Sequence, residues 1–253
     1  MKLIVITAEH FFKEEALWIN ELMAQAYGRE PAQDFQGYGL TGAQEETHLQ
    51  GGCTMLLHLR KPNSRKEEME QLIEEIDNRF YSRLVLHDHL HLANKYNLGG
   101  VHLNSRNEQQ YNGMVTCRAL KGAQTIHALP AIPANADEES RYWKNCRVSR
   151  SCHSLEEVAR YKEWCSYVTL SPVFNSISKQ GYNAAFSQEE LVRAKDLNII
   201  DEKVVALGGI GPENIAQIKE LGFGGAAVLG AIWKSRTLDE ARMNLELLVK
   251  NSI

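Results

Sequence analysis

Eight short apolar runs, each followed by a longer amphipathic stretch, constrain this chain more than any other feature. The runs are KLIVIT (2–7), TMLLHLR (54–60), RLVLHD (83–88), GVHL (100–103), CRVSRSCH (146–153), YVTLSPV (167–173), KVVALGG (203–209) and AAVLGAI (226–232). They are rich in β-branched residues and leucine and too short for buried helices, so they read as strands. Between them, apolar residues recur three and four apart, as in Leu72, Ile73 and Ile76. This spacing predicts helices over 13–27, 64–80, 89–97, 154–164, 187–197, 212–221 and 237–250. Ser154 with Glu157 and Ser187 with Glu190 have the spacing of capping boxes. Strand–helix alternation repeated eight times predicts a parallel sheet closed into an α/β (β/α)8 TIM barrel. A chain of 253 residues fits one such domain spanning 1–253.

Two segments exceed a minimal barrel. Residues 28–52, rich in Gly and Gln, join the first helix to the second strand and are expected at the amino-terminal face. Residues 104–145 replace the expected fourth helix, and Pro130 and Pro133 interrupt any helix there.

Composition narrows the partners. The net charge is −4 with basic residues scattered, which supplies no field for a nucleic-acid backbone or an anionic membrane surface. No apolar run approaches the roughly 20 residues of a membrane span, and the opening MKLIVIT turns polar too soon for a signal peptide, so a cytoplasmic protein is expected. Five cysteines (53, 117, 146, 152 and 165) contain no C-x-x-C pair, which argues against a disulfide framework or a structural zinc site. They read as small buried apolar groups. Cys152 adjoins His153, but strand neighbours point to opposite faces, so adjacency does not make a nucleophile.

In a barrel the carboxyl ends of the strands carry the chemistry. Those ends hold Arg60 and Lys61, His87 and Asp88, the segment His102–Asn107, Ser151 and His153, the segment Asn175–Lys179, Gly208 and Gly209, and Gly230. Glycines after strands seven and eight suit a phosphate held by backbone N–H groups. Ser176, Ser178 and Lys179, with Arg60 and Ser151, could grip a second and more highly charged anion such as pyrophosphate. Asp88 suits Mg2+, which takes one or two carboxylates together with phosphate oxygens. His87, Asp88, His89 and His91 also fit a metal-dependent hydrolase, but that chemistry needs ligands from later strands, and LGAIW has no Asp. A lone histidine in a strand reads as a satisfied core or rim group, which is the reading for His102 and His127.

The segments LHLRK (57–61), LVLHDHLHLA (84–93), GGVHL (99–103), SRSCHSLEEV (149–158), YVTLSPVFNSISK (167–179), VVALGGI (204–210) and GGAAVLGAI (224–232) occur in an order that resembles the thiamine phosphate synthase family, which also includes the TenI-type thiazole tautomerases. The resemblance implies coupling of hydroxymethylpyrimidine diphosphate to a thiazole phosphate with release of pyrophosphate. It implies roles in catalysis for Arg60, Ser151, Lys179 and His153. Ser176, Ser178, Gly208, Gly209 and Gly230 would bind substrate. His58 stands at the family's pyrimidine-binding glutamine, and His87 at the asparagine before the metal aspartate. Mg2+ would be held by Asp88, with Asn107 at the second metal aspartate, and Pro62 replaces a family lysine.

These departures keep two other readings open. A tautomerase would use His153 for proton transfer near neutrality. A barrel without turnover would act as a ligand-binding regulator of the same pathway. In each case the partners are small heterocyclic phosphates, and a homo-oligomer is left open.

Overall fold

The computed structural model describes residues 1–28, 53–107, 146–175 and 184–252. Its strands are β1 (Lys2–Ile6), β2 (Thr54–Leu59), β3 (Leu84–Leu86), β4 (Gly100–Leu103), β5 (Arg147–Cys152), β6 (Tyr167–Leu170), β7 (Val204–Leu207) and β8 (Gly225–Val228). They form a closed barrel in sequence order. All ladders are parallel, and β1 closes the sheet by pairing Ile4 with Leu56 of β2 and with Ala227 of β8. The outer layer comprises α1 (Glu15–Tyr27), α2 (Lys66–Glu75), α3 (Leu92–Lys95), α4 (Leu155–Tyr161), α5 (Gln188–Asp196), α6 (Ile215–Glu220), α7 (Gly230–Trp233) and α8 (Leu238–Asn251). The expected (β/α)8 topology is therefore present.

Element ends differ from expectation for local reasons. AAVLGAI leaves the sheet at Val228 and enters α7, where the Trp233 indole N–H donates to the Ile6 carbonyl at 2.7 Å. An apolar run of that length does not distinguish a strand from a buried helix turn. The helix expected over 64–80 stops at Glu75, because Ile76 is extended, and a 3₁₀ helix (Asn78–Arg83) follows. The Ser187 capping box forms in full. At α4, Ser154 accepts the Glu157 N–H, but the Glu157 carboxylate takes the His153 N–H at 2.6 Å instead of completing a box.

Strand alternation sorts side chains into two cores. Leu3, Val5, Leu57, Leu59, Leu84 and Leu86 belong to the large cluster between sheet and helices. Ile4, Ile6, Leu56, Tyr167, Val205 and Ala227 form a second cluster inside the barrel. The described cysteines are all buried. Cys152 is fully buried in the outer core, where desolvation pushes its thiol up to about 12, so it is no nucleophile. Cys117 and His127 lie outside the described residues. So do all but the first residue of the 28–52 insertion and all but the first four of the 104–145 insertion.

Lys61, placed by sequence beside Arg60 at the carboxyl end of the second strand, is turned away from the rim. Its ammonium is fully buried, donating to the carbonyls of Ala8 and His10 at 2.8 and 3.0 Å and to Glu15 at 2.7 Å, and so ties the β1–α1 loop to the end of β2. Burial raises the Glu15 pKa and lowers that of Lys61, so each group depends on the other to stay charged. Lys61→Met is expected to destabilise the protein by about 3–5 kcal/mol, because it leaves a buried carboxylate alone. The double replacement Lys61→Met with Glu15→Leu should recover most of that loss, as measured by urea unfolding.

Candidate active site at the carboxyl rim

Arg60 leaves β2 at the mouth of the barrel. Its backbone N–H donates to the Thr7 hydroxyl at 2.9 Å, which locks the ends of β1 and β2 together. Its guanidinium, one quarter exposed, pairs with Glu9 at 2.6 Å. A guanidinium has five donors, so this contact leaves others for an anion. The next backbone N–H, of Lys61, donates to Asp88 at 2.9 Å, while the other Asp88 oxygen lies 3.5 Å from Arg106. The rim thus alternates cations and carboxylates within one short arc from β1 to β4.

Beneath this arc the lumen divides. The side formed by β1, β7 and β8 is apolar, with Ile4, Ile6, Val205 and Ala227. The side formed by β2 to β5 is polar and buried, with His58, His87, His102 and Ser149. Each imidazole there is held by partners. His58 Nδ1 meets His87 Nε2 at 2.8 Å, and His58 Nε2 meets the Tyr167 hydroxyl at 2.6 Å. His102 Nδ1 meets Ser149 Oγ at 2.9 Å, and its Nε2 meets Ser151 Oγ at 2.8 Å. Burial is the main cause that lowers all three pKa values. For His87 and His102, nearby cations including Arg60 add to the effect, and His102 falls to about 3. These are neutral imidazoles, and His102 is the satisfied core group expected of it.

Asn107 is a clamp. Its Nδ2 donates to the carbonyls of His87 and His102 at 3.0 Å each, and its Oδ1 accepts the Asn104 N–H at 2.8 Å. It joins the ends of β3 and β4 and has little left for a cation. His153 is exposed, with Nδ1 3.2 Å from the Ser171 carbonyl. The Ser171 hydroxyl lies 3.3 Å from the same Nδ1 and can either donate or accept, so these contacts suit both tautomers of the ring.

Gly208 and Gly209 hold positive φ values of 108° and 64°. A Cβ on Gly208 would come within 2.9 Å of Pro172, and one on Gly209 within 2.4 Å of the Asn175 carbonyl oxygen. Glycine is therefore required first by the close approach of the β6 and β7 loops, with Val173 N–H bonded to the Leu207 carbonyl and Phe174 N–H to that of Gly208. Among the described residues nothing accepts from the Gly208 or Gly209 N–H groups, which leaves donors for a phosphate. Gly230 opens α7 beside them. Ser176, Ser178 and Lys179 lie outside the described residues.

Sequence reasoning missed Glu9, Ser149 and Tyr167. The i, i+2 spacing of Ser149, Ser151 and His153 signals one shared face and could have found the first serine. Nothing local marks Glu9 or Tyr167, whose partners come from distant strands.

Fold and rim together define a (β/α)8 barrel with its polar groups gathered at the carboxyl mouth. The family model described as thiamine monophosphate synthase matches residues 40–232, and the chain belongs to that family. A thiamine-phosphate synthase of Clostridium acetobutylicum is 26% identical over 211 residues, covering 82% of this chain and 87% of that protein. One from Nitrosococcus oceani is 26% identical over 199 residues, covering 76% and 78%. The crystal structure of a thiamine phosphate pyrophosphorylase from Bacteroides thetaiotaomicron superposes with a TM-score of 0.67 at 31% identity, covering 100% of this chain and 98% of that one.

The neutral imidazoles set a pH dependence. Their folded pKa values lie below the ordinary 6.5, so below about 6.5, and for His102 down to about 3, the unfolded chain binds protons that the folded one refuses. Their contribution to stability is complete above about 6.5 and is lost as pH falls through that window. The urea midpoint should drop accordingly, and His102→Gln, which does not titrate, should flatten the slope.

Proposed function

We propose that the chain is a thiamine phosphate synthase, a transferase that joins hydroxymethylpyrimidine diphosphate to a thiazole phosphate and releases pyrophosphate. The observation that carries this reading, beside family membership, is the shared position of Arg60 and Ser151. Ser151 bonds His102 directly, and the Arg60 charge depresses the same imidazole. The two groups expected to grip pyrophosphate therefore both act on one buried imidazole, Ser151 by contact and Arg60 through its charge. In the reaction the C–O bond to the diphosphate breaks, and its electron pair leaves on pyrophosphate. The pyrimidine methylene cation is then attacked by the thiazole nitrogen. Arg60, with Lys179, Ser176 and Ser178 supplied by the β6 loop, would stabilise the departing charge. The N–H groups of Gly208 and Gly209, with Gly230, would seat the thiazole phosphate, and His87 would face the pyrimidine with the fully buried His58 behind it.

Asp88 fits a hard cation, since its carboxylate is partly exposed and accepts the backbone N–H of Lys61, the residue after Arg60. Mg2+ held there would neutralise phosphate oxygens. Asn107, already committed to three backbone groups, contributes by fixing the strand ends, so the phosphate oxygens and water would complete the coordination. The reading makes this a cytoplasmic enzyme of one barrel domain acting on small heterocyclic phosphates. Among the described residues no helix is long and apolar enough to cross a membrane.

The exposed imidazole of His153 at the end of β5 favours a second reading, the thiazole phosphate tautomerase. One assay separates the cases. With both heterocyclic substrates and Mg2+, a synthase yields thiamine phosphate and pyrophosphate in equal amounts. Interconversion of thiazole isomers alone would establish the tautomerase, and binding without turnover a regulator. Lys179→Ala should lower kcat about 100-fold while affecting thiazole-phosphate affinity far less; equal effects would remove the β6 loop from the pyrophosphate site.

A further inference from the structure

An ion pair occupies the group expected to receive pyrophosphate. The Arg60 guanidinium holds the Glu9 carboxylate at 2.6 Å, with both side chains partly exposed at the mouth. A pair at such exposure ordinarily contributes little, because water screens it and two long side chains must be ordered to make it. This one is ordered by its surroundings.

Thr7 clamps the main chain of Arg60, accepting its N–H at 2.9 Å. Lys61, the next residue, clamps the main chain of Glu9. Its buried ammonium donates to the carbonyls on either side of that residue, those of Ala8 at 2.8 Å and His10 at 3.0 Å. Glu15 fixes the ammonium at 2.7 Å, and the Phe11 ring covers it with its centroid 4.8 Å away. Two adjacent residues after β2 thus serve one contact, Lys61 by presenting the carboxylate and Arg60 by binding it.

We propose that Glu9 is the resident counter-ion of Arg60, displaced from the guanidinium when pyrophosphate binds and returning to it as pyrophosphate leaves. Glu9 is a positioning residue, acting on the leaving group only through Arg60. The proposal rests on the synthase reading for the identity of the anion.

A guanidinium gripping a diphosphate makes charge-assisted hydrogen bonds to the bound substrate and to the released pyrophosphate alike. Binding that is equally strong before and after bond cleavage does not speed the cleavage, and it retains the product. A carboxylate that must be displaced weakens both complexes by the same factor. The charge that develops on the leaving group is still met by the guanidinium, so Glu9 loosens the product without removing the stabilisation specific to the transition state.

Calorimetric titration with inorganic pyrophosphate in the presence of Mg2+ tests this. Glu9→Gln keeps the side-chain volume and a weaker acceptor but removes the charge, and it should bind pyrophosphate about 10-fold tighter than the native protein. In turnover, KM for the pyrimidine diphosphate should fall by a similar factor with kcat no higher than native, while KM for the thiazole phosphate stays unchanged. A merely structural role would not tighten anion binding. Unchanged or weaker pyrophosphate binding in Glu9→Gln, a raised kcat, or a KM shift shared by both substrates would overturn the proposal. A crystal structure of the native protein with pyrophosphate and Mg2+ gives a check that needs no variant. Arg60 should contact the anion with its bond to Glu9 broken, and an intact bond would overturn the displacement. Failure of the native protein to bind pyrophosphate would overturn the synthase reading and this role together, whereas native binding with no gain in Glu9→Gln would remove Glu9 alone.

Discussion

Closing eight strands into a barrel leaves a close-packed interior in which polar groups require partners, a requirement that most of them meet and the Thr169 hydroxyl does not. The rest of this structure follows from how that requirement is met. On the β1, β7 and β8 side the interior is aliphatic and asks for nothing. On the β2 to β6 side three histidines, two serines and a tyrosine bond to one another. The polar half of the lumen is the floor of the candidate active site, so the interactions that fill the barrel also hold the groups that meet substrate.

The same economy governs the rim. Lys61 spends its charge on the β1–α1 loop, Asn107 its amide on the ends of β3 and β4, and Thr7 its hydroxyl on the ends of β1 and β2. None of these groups needs to touch substrate. By immobilising strand ends they fix Arg60, Asp88 and His87 relative to one another, and fixed dipoles stabilise developing charge better than mobile ones.

Membership of the thiamine monophosphate synthase family gives the chain its frame, and the departures give it a character of its own. Where the resemblance places an amide at position 58, this chain has an imidazole bonded on both sides. An amide keeps its donors and its acceptor on fixed atoms, whereas a neutral imidazole carries its one proton on either nitrogen, so its polarity depends on its neighbours. Recognition at this mouth is thereby tied to groups several strands away.

The alternation of apolar runs and amphipathic stretches determined the barrel, its strand order and the rim on which the chemistry stands, because period and chain direction are local properties of a sequence. It placed Arg60, Asp88, Ser151, His153 and the glycines after β7 and β8 at one mouth for the same reason. Tertiary structure alone decided which of two adjacent cations faces that mouth, that Gly209 is required by the Asn175 carbonyl, and that Asn107 binds strand ends. It also joined Tyr167 to His58, 109 positions apart. Such pairings depend on barrel radius and register, which emerge only when all eight strands close, so no segment read by itself contains them.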